Sequence, residues 1–291
     1  MRCRGHRRRA FLNKRRALRQ LWTPVASLGL VAFGCAATGE LFAGPETSSH
    51  NAAAPAGAPV RNAVIPRGYM LAAKLEHTLS LKDARAGDTL TARIMQEIPL
   101  PGKGKIDFRS LVKGSILQVR RDANETGVEL TLRFDVVIDH GQNLPVFTSL
   151  RAIASFLEVH EAQIPRAAYD EQTPLSWATT YQIGGDERFG DGGRVRNRWK
   201  ENVGQAVQGG VLVYVKDNPQ RGCEGPAGEE EHPQALWLFS ADACGVYGMK
   251  SVQLLQSGDR APVGEITLHF NKADAKLSAG TGLLLRVVSA S

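Results

Sequence analysis

Polar and apolar residues alternate along several segments of the chain after residue 62. The clearest segment, residues 128–136, reads VELTLRFDV, so every second side chain is apolar. Successive side chains of a strand point to opposite faces, whereas a helix would spread this pattern around its axis. Residues 90–98 and 265–270 follow the same alternation. We expect half-buried antiparallel strands, and in the clearest one the core residues are Val128, Leu130, Leu132 and Phe134, while Glu129, Thr131 and Arg133 face water.

Short runs of Gly, Asp, Asn and Pro separate these segments and supply the turn chemistry that hairpins need. Only residues 197–207 have a helical pattern, and Gly204 interrupts it. The sequence therefore predicts an all-β fold built from antiparallel barrel or sandwich units. The predicted strands are 68–78, 88–98, 106–109, 113–121, 128–138, 145–156, 210–216, 235–241, 251–256, 264–271 and 282–288.

The predicted strands form two clusters, a first β unit at 63–157 and a second β unit at 210–291. The irregular segment between them, residues 158–209, is long for a loop inside a compact domain, and it is too aromatic for a disordered linker. We expect it to pack across one or both units, and the sequence leaves open whether the units form one domain. Its large rings include Trp177, Tyr181, Phe189 and Trp199.

The first part of the chain, residues 1–43, has the charge pattern of an export signal or anchor. Its first twenty residues hold eight Arg, one Lys and no acid, and an uncharged stretch follows at Leu21–Gly39. Because the whole chain has a net charge of +7, residues 21–291 have a net charge of −2. The positive charge thus belongs to the leader, and we expect no nucleic-acid partner.

Three fates of the leader stay open. Small residues around Cys35 and Ala36 suit a signal peptidase, the uncharged stretch is long enough for a retained anchor, and Cys35 is a rival site for lipid attachment. Arg8 and Arg9 leave the twin-arginine route open beside the ordinary secretory route. The next segment, residues 44–62, is an Ala/Pro/Ser-rich tether. We expect an exported protein of the periplasm or cell envelope, which contacts the membrane if the leader is uncleaved or lipidated.

The only cysteines beyond the leader are Cys223 and Cys244. Both lie among loop residues, where a bridge would not interrupt a strand, and export would place them in an oxidising compartment. We therefore expect a disulfide, with two unpaired thiols as the alternative. No C-x-x-C or neighbouring His pair completes a metal site, so we expect neither a metal nor another cofactor.

The aromatic residues and the acidic loops are the remaining candidates for chemistry. Exposed Trp177, Tyr181 and Trp199 would stack on sugar rings, but we favour burial, because an irregular segment needs apolar anchors. The carboxylates Asp186 and Asp191, and the run Glu229–Glu231, lie in Gly-rich loops that we expect to be solvated. No serine-hydrolase, P-loop or dinucleotide motif occurs, so the sequence names no catalytic residue.

Part of the first β unit resembles a known family. The segment from Gly68 to Leu75, the turn at 86–88 with strand 90–94, residues 110–114, and the strand ending at 139–141 are similar to the β-barrel core of TrbI-like conjugation and type IV secretion scaffold proteins. The resemblance covers residues 63–157. Where that family shows Ile-Pro-x-Gly-Ser, this chain has Asp-Phe-Arg-Ser at 107–110. The resemblance implies a non-enzymatic structural or assembly role.

Two functions follow as hypotheses. The first is an exported, non-catalytic cell-envelope β protein with a scaffold or binding role, whose partners are envelope proteins or polymers. The second is a hydrolase of envelope polymers, with the aromatic segment as a substrate platform and Asp186 and Asp191 as its acid and base. A pair of carboxylates about 5–10 Å apart in a cleft would favour the hydrolase. The sequence does not determine the oligomeric state.

Overall fold

The computed structural model describes residues 64–122, 126–166, 179–190, 192–225 and 232–290. The leader, the tether, Trp177, Asp191 and Glu229–Glu231 lie outside these ranges. The described residues are almost entirely strand and turn, with one short α-helix, α1 (Phe156–Glu161), which confirms the predicted all-β class. The strands are β1 (Met70–Leu75), β2 (Leu79–Ser80), β3 (Thr89–Ile94), β4 (Ile98–Pro99), β5 (Lys105–Ile106), β6 (Leu111–Arg121), β7 (Val128–Asp139), β8 (Gln142–Ala154), β9 (Thr179–Tyr181), β10 (Glu187–Phe189), β11 (Arg194–Arg196), β12 (Asn202–Val207), β13 (Gly210–Val213), β14 (Gln234–Ala235), β15 (Gly245–Tyr247), β16 (Val252–Gln256), β17 (Ile266–Phe270), β18 (Lys276–Leu277) and β19 (Gly282–Ala290).

Six strands close into an antiparallel barrel. Their order around the barrel is β19, β1, β3, β6, β7 and β8, and β8 pairs again with β19. Because β19 lies between β1 and β8, strands from both sequence clusters share one sheet. The two β units, whose relationship the sequence leaves open, therefore contribute to the same barrel.

Three further strands widen the sheet where β7 and β8 diverge. Only the turn-proximal ends of this hairpin pair with each other, from Val136 opposite Pro145 to Asp139 opposite Gln142. The start of β7 pairs instead with β17, which in turn pairs with β16. The end of β8 pairs in parallel with β15. These strands cover edges that the closed barrel would otherwise expose.

The alternation predicted for residues 128–134 is confirmed. Val128, Leu130, Leu132 and Phe134 are all buried in the barrel core. A β-bulge at Asp135 then shifts the register against β6, so Val137 is buried while Val136 is only half-buried. The bulge follows a close approach of the two strands at Gly114, where a Cβ would collide with the Arg133 carbonyl oxygen.

The opposite face of β7 is less exposed than the sequence predicts. Thr131 is buried, and its hydroxyl group lies 3.1 Å from that of Thr267 on β17. Arg133 is half-buried and pairs with Glu265 at 3.3 Å. The expectation that Thr131 faces water is therefore wrong, because β17 extends the sheet beside β7 and supplies a hydroxyl partner for it.

The strands β9 to β14 form a second antiparallel sheet in sequential order. Part of the segment for which the sequence predicts no strand thus contains β9 to β12, and the helix predicted over 197–207 is instead a turn followed by β12. Gly204 is one reason, since a Cβ there would collide with the Leu212 carbonyl oxygen of β13. Only glycine permits this strand contact.

The second sheet packs against the outer face of the barrel through its own apolar core. Met70 and Leu284 of the barrel meet Val211, Val213 and Phe239 of the second layer. Two buried glutamines link the barrel to the second layer through side-chain hydrogen bonds. Gln96 donates to the Val211 carbonyl oxygen at 2.8 Å and accepts from the Trp237 N–H at 2.6 Å, while Gln234 accepts from the Met70 N–H at 3.1 Å.

The helix α1 follows directly on β8. Ser155 caps its first turn by accepting a hydrogen bond from the Glu158 N–H at 3.2 Å. In the ranges that the structure describes, no helix has the length and apolar character needed to cross a membrane.

Candidate functional site

The solvent-facing side of the second sheet carries a row of polar and aromatic side chains. Tyr181 on β9 lies opposite Glu187 on β10, and Glu187 lies opposite Arg196 on β11. Directly opposed residues project from the same face of a sheet. Val195, the neighbour of Arg196, is fully buried on the inner face. The row of Tyr181, Glu187 and Arg196 therefore faces away from the barrel.

Three aromatic rings, two on the second sheet and one in its β11–β12 turn, are each covered by an arginine. The guanidinium carbon lies 4.8 Å from the ring centre for Arg166 over Tyr181, 5.3 Å for Arg196 over Phe189, and 4.9 Å for Arg198 over Trp199. Such contacts are worth about 0.5–1 kcal/mol at exposed sites, so each arginine favours one orientation of its ring. We call this surface the basic aromatic face, and its residues are Arg166, Tyr181, Phe189, Arg194, Arg196, Arg198 and Trp199.

A rigid turn between β11 and β12 presents Trp199 to solvent. The buried Asn197 side chain accepts hydrogen bonds from the backbone N–H groups of Trp199 and Glu201, each at 3.0 Å. Lys200 in the same turn pairs with Glu187 at 2.9 Å, which places the turn at the same end of the sheet as Tyr181. Asn is suited to this role because its side chain bonds backbone groups within a turn. These bonds hold the backbone at Trp199 in place, and 65% of the surface of this residue is exposed.

Charges of both signs lie on and around this face. Glu187 pairs with Lys200, Glu201 with Lys216 at 3.2 Å, and Asp242 with Arg198 at 2.8 Å. Arg194 and Arg196 form no ion pair with the residues that the structure describes. The face thus has arginines available to an anionic ligand, next to carboxylates that are already neutralised.

Two of the predicted stacking residues, Tyr181 and Trp199, lie at the surface. Tyr181 is 41% exposed and Trp199 65% exposed, so the expectation of burial is wrong for both. Both lie at the same end of the second sheet, and Trp177 lies outside the described residues. Sequence reasoning missed the arginines that accompany the rings. The available signal was the spacing of Arg194, Arg196 and Arg198, which a strand and its following turn bring to one side.

Asp186 does not belong to an open cleft. Only 2% of its surface is exposed, and its carboxylate accepts a hydrogen bond from the Ala241 N–H at 2.8 Å. Burial raises the pKa of Asp186 to about 6, although the Ala241 hydrogen bond opposes this shift. This carboxylate holds the segment that follows Phe239 against the second sheet, and its proposed partner Asp191 lies outside the described residues.

Replacing Asp186 with asparagine should flatten the pH dependence of stability between about pH 4 and pH 6. The folded protein keeps this proton up to a pKa of about 6, whereas the reference value is 3.8. The free energy of unfolding of the wild type should therefore fall as pH rises through this window, by at most about 3 kcal/mol from this group. Asparagine stays neutral and retains an acceptor for Ala241.

Urea unfolding of the wild type and of Asp186→Asn, measured from pH 4 to pH 7, checks this expectation. Asp274→Asn is the matched control, because Asp274 is exposed. Parallel curves for the wild type and Asp186→Asn would contradict the assigned pKa.

The cysteine pair forms a second, structural site. Cys223 and Cys244 are at disulfide distance, with sulfur atoms 1.99 Å apart and Cα atoms 6.0 Å apart. Beneath them Arg151 on β8 is almost fully buried, and burial lowers its pKa to about 10. Its guanidinium donates to the Ala243 carbonyl oxygen at 2.9 Å and to the carbonyl oxygens of Lys216 and Glu224. The disulfide and Arg151 together fasten the 216–225 loop onto the barrel.

Two cavities of the structure differ in size and position. The space lined by the core side chains of the barrel is only about 10 Å³, too small for a ligand. A groove of about 480 Å³ runs between the β3–β5 region and the β12–β13 turn, and its apolar lining includes Met95, Phe108 and Leu212. Within the described ranges, no group of three or more His, Cys, Asp or Glu side chains is placed to hold a metal ion.

Comparison with known proteins gives no relative for this chain. No protein-family model matches it, and no curated protein or solved structure is significantly similar to it.

Proposed function

We propose that this chain is an exported, non-catalytic protein of the cell envelope, in which the barrel is the scaffold and the basic aromatic face is the binding surface. One observation carries the proposal. Three Arg-covered rings lie on the second sheet and its β11–β12 turn, two of them with exposed surface, while the barrel interior is filled with side chains. This arrangement suits the capture of an extended partner across a surface.

The leader and the disulfide support the proposed compartment. A basic segment followed by an uncharged one is the pattern of an export signal. Disulfides persist mainly in oxidising compartments such as the periplasm, and the Cys223–Cys244 pair is at disulfide distance. Both features favour a protein that works outside the cytoplasm.

The closed barrel supports the scaffold part of the proposal. Five of its six strands, β1, β3, β6, β7 and β8, come from residues 63–157, the region that resembles the barrel core of TrbI-like scaffold proteins. A closed six-stranded barrel is compatible with that resemblance, and we propose the assembly role that the resemblance implies. The second sheet then supplies the surface that contacts the assembled component.

Capture from detergent-solubilised envelope tests the binding role. Tagged wild type should retain an envelope component that the triple variant Tyr181→Ala, Arg196→Ala, Trp199→Ala does not retain. The control is Phe108→Ala, Arg109→Ala, which removes an Arg-covered ring from the β5–β6 loop beside the β12–β13 turn, where the guanidinium lies 5.0 Å from the ring centre.

Three outcomes would overturn the proposal. Equal retention by the wild type and the triple variant would show that the basic aromatic face is not the binding surface. If the wild type retained no envelope component, the proposed binding role would be wrong. Time-dependent release of soluble fragments from purified envelope polymer would favour the hydrolase instead.

A further inference from the structure

The ligand class can be inferred from the chemistry of the basic aromatic face, on the assumption that the proposed function is correct. We propose that this face binds a polysaccharide strand in which carboxylate-bearing sugars alternate with neutral sugars. The inference rests on the rings, on the balance of charges and on the spacing of the strands.

The rings favour sugars over a merely anionic partner. Each guanidinium covers one side of its ring, and the exposed area of Tyr181 and Trp199 stays available for stacking. Aromatic rings combine a flat apolar surface with low conformational freedom, which suits the apolar face of a pyranose. The arginines add N–H donors in a fixed planar arrangement that matches a carboxylate.

The charges favour a ligand with widely spaced anionic groups. A densely charged phosphate polymer binds best to a surface with many unpaired cations, because its affinity depends on the number of phosphates that are neutralised. Here Glu187 and Glu201 lie on or beside the face, where they occupy Lys200 and Lys216. The arginines without a carboxylate partner are few, so a ligand with occasional carboxylates and many hydroxyl groups fits better.

The strand spacing favours an alternating repeat. Tyr181 on β9 and Arg196 on β11 belong to one row, with Glu187 of β10 between them. Two strand spacings amount to about 10 Å, which is close to the length of a disaccharide. A neutral sugar stacked on Tyr181 would therefore bring its neighbour over β11, where the flexible Arg196 side chain, whose guanidinium covers Phe189, could meet its carboxylate.

Isothermal titration with a hyaluronan octasaccharide tests this inference, because that polymer alternates glucuronate with a neutral amino sugar. The wild-type protein should bind it at 0.15 M salt. The carboxyl-reduced octasaccharide, a Glu-Gly repeat peptide with the same number of carboxylates, and single-stranded DNA should each bind at least about tenfold more weakly.

Single variants test whether both the aromatic rings and the arginines contribute to octasaccharide binding. Trp199→Ala and Arg196→Ala should each weaken octasaccharide binding by about tenfold or more, in line with the loss of one stacking or one charged contact. Phe108→Ala and Arg109→Ala should leave it unchanged, and unfolding midpoints of all four variants should match the wild type to show that the fold is intact.

Several results would overturn the inference. Equal affinity for the reduced sugar would show that the carboxylate is not recognised. Equal affinity for the peptide or the DNA would show that the sugar is not recognised. No binding to any probe would exclude the proposed ligand class. If envelope capture still depends on the basic aromatic face in that last case, the proposed function stands and only the ligand class fails. If capture is also lost, both fail.

Discussion

Replacing Phe134 with alanine should lower the free energy of unfolding by about 3–5 kcal/mol. Phe134 lies on β7 with 2% of its surface exposed, and its neighbours in the barrel core include Leu75, Leu132 and Leu268. Neighbouring strands of the barrel are hydrogen-bonded to each other, with β7 and β8 joined from Val136 to Asp139, and this restricts their movement into the vacated volume. Most of the cavity should therefore persist and add to the cost of the lost apolar contact.

Urea unfolding followed by tryptophan fluorescence measures this loss. Phe108→Ala is the matched control, because Phe108 is 47% exposed, and it should cost less than about 1 kcal/mol. Similar losses for the two variants would show that Phe134 is not enclosed by the barrel.

Replacing Cys223 and Cys244 together with alanine should lower the free energy of unfolding by about 3 kcal/mol. The bridge joins residues 21 positions apart, and without it the unfolded chain gains the conformational freedom of that loop. Arg151 keeps its bonds to the carbonyl oxygens of Ala243, Lys216 and Glu224. The folded loop should therefore stay in place, and the main change should be in the unfolded state.

Unfolding curves of oxidised wild type, reduced wild type and the double variant test this expectation. The reduced protein and the double variant should coincide and lie below the oxidised protein. Coincidence of all three curves would show that the bridge contributes nothing. Thiol labelling of protein isolated from cells adds a separate check, since free thiols at both positions before reduction would contradict the proposed oxidising compartment.

The barrel strands were predictable where one face is apolar and the other polar. Residues 128–134 follow the two-residue period without exception, and the structure buries the apolar set. The period stops being informative at the bulge, because Val136 and Val137 are equally apolar and only the pairing with β6 decides which one enters the core. Alternation records the faces of a strand but not its irregularities.

The second sheet could not be predicted in the same way. The strands β9, β10 and β11 contain three residues each, which is too few for a period to stand out. β12 contains Gly204, which reads as a helix breaker in the sequence but allows close packing against β13 in the structure. The basic aromatic face was consequently foreseen only as separate aromatic residues.

The buried Arg151 gave no sequence signal at all. It lies within the apolar end of β8, where an arginine suggests a solvent-facing position. Its partners are backbone carbonyl oxygens of the 216–225 loop and of Ala243, far away in the sequence. Carbonyl groups are common to all residues, so no residue type marks the binding site of the guanidinium.

The position of β19 sets the order in which the protein can acquire its structure. This strand lies between β1 and β8 and pairs with both. The edges of β1 and β8 that face it therefore stay unpaired until residues 282–290 are present. Contacts between residues this distant in sequence form slowly, since a long loop must close before they give any stabilisation. An unfinished chain would expose two strand edges that are open to pairing with other chains. This exposure ends only when β19 pairs with both β1 and β8.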